Sequence, residues 1–97
     1  MDLAAFRSTL AAASPPADLS PPLEALWRDG RGDWDAAHRA VQSAEGTDAA
    51  WVHAYLHRKE GDDANARYWY ARAGQVPSTE ALETEWAAIA GHLLSER

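Results

Sequence analysis

Two stretches of the chain, GDWDAAHRAVQSA at 32–44 and GDDANARYWYARA at 61–73, superpose at an offset of 29 residues. Gly32, Asp33, Ala37, Val41 and Ala44 of the first copy meet Gly61, Asp62, Ala66, Tyr70 and Ala73 of the second. In each copy glycine and aspartate supply a tight turn and a helix cap. Small, large and small residues at i, i+4 and i+7 then make a stripe along which the preceding helix can approach closely. The segments ahead of the two turns, LEALWRDG and AAWVHAYLHRKE, read as those preceding helices. The pattern therefore predicts two antiparallel helical hairpins, at 21–44 and 48–74.

The flanks fit the same class. Asp2 and the spacing of Leu3, Phe6, Leu10 and Ala13 predict an N-terminal helix within 1–14. The prolines of SPPADLSPP break it and make 15–22 a linker. Ser20 with Pro21 and Pro22 marks the start of the next helix. After Gly74 and Pro77, the recurrence of Leu82, Trp86, Ile89, Ala90 and Leu93 predicts an amphipathic C-terminal helix over 78–97 that covers the end of the stack. Its start is expected at Ser78 or Thr79. Alanine supplies about half of the 46% apolar residues, while Val, Ile and Thr are scarce, so summed propensity favours helix throughout. No run of period two suggests a strand. The expectation is one all-α domain over 1–97, with about six short helices and the two-hairpin repeat at 23–74.

The turn glycine followed by alanine, a large residue and alanine resembles the second helix of tetratricopeptide-like hairpins. The resemblance covers 23–73 and implies stacked hairpins with a ligand groove lined by their first helices. Those first helices depart from the family: Ala50, His53, Ala54 and His57 in the second copy, and Pro21, Glu24, Ala25 and Arg28 in the first, match it only at the small position. The block 51–73 is also similar to a stretch of small helical proteins from uncharacterised bacterial families, a likeness that implies no function.

A net charge of −6, from 15 acidic and 9 basic residues, argues against a nucleic-acid or anionic-membrane partner. The basic residues are dispersed, with no run longer than Arg58-Lys59. There is no cysteine, which removes disulfides and thiolate ligation. No apolar stretch reaches the roughly 18 residues of a membrane span, and no signal-peptide pattern stands at the N-terminus, so a cytoplasmic protein is expected. The serines lack a nearby base, and carboxylate pairs such as Asp33-Asp35 and Asp62-Asp63 sit where capping explains them. No enzyme activity and no cofactor are expected.

Two sets of residues invite a functional reading. In the tetratricopeptide-like register Trp51, Tyr55, Arg58 and Lys59 would form an aromatic floor ending in two cations, suited to an acidic or C-terminal peptide. Tyr68 and Arg72, at i and i+4, add a surface pair. A protein or peptide partner, or a second copy in a homodimer, is the expectation from this set. The alternative rests on His53, His57 and Glu60, which fall within about 60° of one another around their helix. Two imidazoles at i and i+4 can share a divalent metal, while Glu60 is placed to pair with His57. Such a site would need His38 or a carboxylate from a neighbouring helix. Otherwise the two histidines lie on a solvated face, or point between the hairpin's helices with Tyr70, Asn65 or Asp62 as hydrogen-bond partners.

Overall fold

In a computed structural model the described residues, 1–96, form six α-helices and no strand. The helices are α1 (Leu3–Thr9), α2 (Pro21–Gly30), α3 (Trp34–Gln42), α4 (Thr47–Glu60), α5 (Asp63–Ala73) and α6 (Leu82–Ser95). Helix α2 pairs with α3 and α4 with α5, giving the two hairpins expected from the repeat. At the second turn Gly61 takes a φ of 88°, a left-handed conformation that costs glycine little, and Asp62 accepts a hydrogen bond from the Asn65 N–H. Asp33 caps α3 in the same way through the Ala36 N–H, and Ser20 caps α2 ahead of its two prolines.

Both flanking helices are shorter than their sequence patterns suggest. Helix α1 stops at Thr9, ahead of Pro15 and Pro16, and carbonyls from Thr9 onward are bonded from α2 and its C-terminal cap. Trp27 Nε1 donates to the Thr9 carbonyl at 3.3 Å, and Arg31 Nη1 donates to those of Leu10 and Ala12, each at 2.6 Å. Helix α6 starts at Leu82 rather than near Ser78. Ser78 Oγ instead accepts from the Glu80 N–H, a local turn that competes with helix, and Arg58 holds the Glu80 carbonyl. Arg97, the last residue of the expected C-terminal helix, lies outside the described residues. Among the described residues no helix is long and apolar enough to cross a membrane.

Helix α6 packs against α1, α2 and α4. It thus lies along the first helices of both hairpins, the face that the tetratricopeptide-like reading reserves for a ligand. Phe6, Leu23, Leu26, Trp27, Val52, Tyr55, Leu56, Trp86, Ile89 and Leu93 share one core there. Trp86 Nε1 donates to the Leu26 carbonyl at 2.9 Å. Gly30 permits the approach of α1 and α6 to the end of α2, since a Cβ at that position would meet Leu10 at 3.0 Å and Trp86 at 3.3 Å. A smaller cluster of Ala54, Ala66 and Tyr70 joins α4 to α5, where the small residues of the repeat let the two helices close.

Two carboxylates are buried in this assembly. Glu85 on α6 accepts from Arg58 at 2.9 Å and from the Tyr70 hydroxyl at 2.6 Å. Asp29 on α2 accepts from Lys59 at 2.8 Å and from the Tyr55 hydroxyl at 2.7 Å. Burial, followed by these carboxylate bonds, pushes both tyrosine hydroxyls well above their ordinary pKa. Removing one member of such a group leaves the others desolvated and unpaired. Glu85→Ala is expected to lower the unfolding free energy by about 3 kcal/mol, whereas Glu85→Gln, which keeps an acceptor for Tyr70, should cost about 1.5 kcal/mol. Urea unfolding of the two variants checks the order, and equal effects would remove the hydrogen bond to Tyr70 from the account.

Candidate metal centre

Helix α4 is buried almost all round, so its polar side chains must find partners inside the protein. His53 and His57 are 6% and 8% exposed, which places them between helices and not on a solvated face. Their ring centroids lie 5.0 Å apart, with planes inclined by 16°, as i and i+4 residues on one helical face allow. Their hydrogen-bond partners are not Tyr70, Asn65 or Asp62, although an Asp62 carboxylate oxygen lies within 4.8 Å of a His57 ring nitrogen. Tyr70 bonds to Glu85, and Asn65 bonds to Asp62.

The first partner is His38 on α3, in the other hairpin. Its Nε2 lies 3.1 Å from His53 Nε2, and its ring centroid is 4.9 Å from that of His53 and 5.4 Å from that of His57. The second is Glu60, whose Oε1 lies 2.7 Å from His57 Nδ1. In the neutral ring that contact fixes the proton on Nδ1 and leaves the Nε2 lone pair free.

Two indoles frame the cluster. Trp34, one turn before His38 on α3, stacks on it at 5.0 Å and 6°, and its Nε1 donates to the Leu56 carbonyl at 2.8 Å, fastening α3 to α4. Trp69, from α5, stacks on His53 at 3.9 Å and 13°. One ring nitrogen from each of the three histidines falls within 4.8 Å of the other two. The three imidazoles, from α3 and α4, thus join the two hairpins, with the Trp69 indole of α5 packed against them.

Burial, with lesser contributions from His38 and His57, pushes the His53 ring down to about 4. Burial and then His57 also lower His38, opposed by the Glu60 and Asp35 carboxylates. At neutral pH both rings are therefore uncharged, the state in which imidazole is a metal ligand.

Much of the peptide-binding set is already engaged within the protein. Tyr55 is 2% exposed and bonded to Asp29, Arg58 reaches Glu85, and Lys59 reaches Asp29. Trp51 is half-buried against His92 of α6, with centroids 5.6 Å apart. Tyr68 and Arg72 do meet on the surface, with the guanidinium 5.7 Å from the tyrosine ring and 5.4 Å from that of Trp69. Sequence reasoning missed Asp29 and Glu85 as internal counter-ions. Their positions carried the signal, since Asp29 follows Leu26 by three residues and Glu85 precedes Ile89 by four, on the apolar faces of their helices.

One further group of metal-type donors shares His57 with Glu60 and Asp62, and another, Asp48, His92 and Glu96, gathers at the surface, with His92 Nε2 2.9 Å from Glu96 Oε1 and 3.7 Å from Asp48 Oδ1. Its salt-bridge geometry accounts for it without an ion. These features define a small helical-hairpin protein with a three-imidazole cluster, two of its rings buried and one partly covered, at the junction of its hairpins. Comparison of the chain with protein-family models, with curated proteins and with solved structures finds no match.

The lowered His53 pKa sets a direction for stability in metal-free protein. Between pH 6.5, the ordinary value, and about 4 the unfolded chain binds a proton at His53 that the folded chain does not. Stability is therefore full above pH 6.5 and falls as the pH drops through this window. Thermal unfolding with chelator present should show a decline that is shallower in His53→Gln. An identical pH dependence in the two proteins would refute the assignment.

Proposed function

We propose that the protein binds a divalent transition-metal ion through His38, His53 and His57, with Glu60 orienting His57 from behind. The observation that carries this reading is the convergence of three ring nitrogens, each within 4.8 Å of the other two, from two helices of different hairpins. Ligand nitrogens about 2.0–2.1 Å from a tetrahedral zinc ion are separated by ~3.3 Å. The 3.1 Å between His38 and His53 is already close to that edge. No separation in the set exceeds 4.8 Å, so a contraction of at most about 1.5 Å would complete it.

The Glu60 contact supports the same reading, because a carboxylate on the distal nitrogen fixes the tautomer and raises the basicity of a ligating imidazole. An all-nitrogen set without cysteine favours zinc, nickel or copper(II) over magnesium or calcium. Three imidazoles are also an expensive way to fill the space between two helices that leucine would fill without polar atoms. Capture of an acidic or C-terminal peptide has less support, since Arg58 and Lys59 already serve Glu85 and Asp29.

Isothermal titration of untagged, chelator-treated protein with zinc tests the proposal, together with mass spectrometry of the native protein. One ion per chain is expected. His38→Ala and His53→Ala should each abolish stoichiometric binding, Glu60→Ala should weaken it by about 10–100-fold, and His92→Ala should leave it unchanged. Binding that survives the two histidine variants but is lost in His92→Ala would move the ion to the surface group and reject the proposal. Absence of binding in the parent protein would reject it outright.

A further inference from the structure

The donor set has three members, and that number has a chemical consequence if the three histidines hold an ion as proposed above. Among the described residues no fourth histidine or carboxylate joins the group formed by His38, His53 and His57. Glu60 is bonded to Nδ1 of His57 and is not a member of that group. The Leu56 carbonyl beside the cluster is occupied by Trp34 Nε1. The framing walls are the faces of Trp34 and Trp69, and an indole offers a hydrogen-bond donor but no lone pair for a metal. The protein thus supplies three ligands to an ion that prefers four.

Burial is uneven around the three rings. His53 and His57 are buried, while His38 is only partly covered, so the cluster has a solvent side at α3. Structural zinc sites close their coordination with four protein ligands, whereas sites with three keep a water or a substrate in the fourth position. An ion in such a site acts as a Lewis acid and lowers the pKa of the water it holds.

We propose that the ion bound by His38, His53 and His57 carries one exchangeable solvent-derived ligand on the His38 side and takes small monodentate anions in its place. The ligand class follows from the count and the cover: a chelating ligand would need two free positions where three protein ligands leave one, and access past the buried His53 and His57 is confined to the partly covered His38 side, which suits a small anion. The centre is then open to a small molecule and differs from a clamp that only joins the hairpins. This inference rests on the metal-binding reading.

The test is visible spectroscopy of the protein loaded with cobalt(II), a spectroscopic substitute for zinc, followed by titration with azide. His92→Ala is measured in parallel to exclude the surface group. Four-coordinate cobalt gives intense visible bands. The expected result is such a spectrum at one equivalent of cobalt, its loss in His53→Ala, and a saturable one-to-one shift on adding azide. Intense bands that ignore azide would show a closed site and overturn the inference while leaving metal binding intact. Weak bands of six-coordinate type would overturn it as well, by showing several solvent positions. Failure to bind cobalt and zinc alike would remove the metal-binding reading, and this inference with it.

Discussion

Enclosure of α4 is the constraint on which the other features depend. Its residues 49, 50 and 52–57 are all buried, and four other helices touch it. Yet its sequence carries His53, Tyr55 and His57 within that run, followed at once by Arg58 and Lys59. A polar group inside must be paired, and each of these pairs differently. Tyr55 and Lys59 share Asp29 on α2, Arg58 takes Glu85 on α6, and the histidines turn to α3 and to Glu60. The neighbours of α4 are thus arranged around it by specific polar contacts as well as by apolar area. Hydrophobic packing alone would leave their rotation about α4 less defined.

The same enclosure explains what the chain disclosed in advance and what it withheld. Local signals were legible. The Gly61-Asp62 turn, the Asp33 and Ser20 caps and the helix-favouring composition act within a few residues, and the structure has each of them. The ends of α1 and α6 were less so, since Trp27, Arg31 and Arg58 bond carbonyls there from elsewhere in the chain, contacts that local spacing does not show. Helix periodicity says that residues share a face but not what lies opposite. For α6 it gave the correct buried stripe, while the neighbours of that stripe proved to be α1, α2 and α4 together.

The candidate centre was half legible for the same reason. Spacing alone places His53 and His57 on one face with Glu60 beside them, since that is a property of a single helix. The position of His38 depends on how α3 crosses α4, which Trp34 fixes through the Leu56 carbonyl. Trp34 and Trp69 are two of five tryptophans, and helical spacing does not say what either ring faces. Their stacking on His38 and His53 gives them a more particular place. Arg58 and Lys59 are instructive in the opposite sense. Two adjacent cations beside aromatic residues fit an external anion well, and the protein meets them with its own buried carboxylates.

The bond from Trp86 to the Leu26 carbonyl spans 60 residues of chain. Each hairpin closes over a turn of a few residues, so its formation loses little chain entropy, whereas seating α6 must close a loop through nearly the whole repeat. The entropic barrier to assembly is therefore concentrated in one event. Until α6 is seated, the core faces of both hairpins and the Arg58 guanidinium remain open to water, and the chain is in its most aggregation-prone form. Speed of α6 docking, more than hairpin formation, sets how long that exposure lasts.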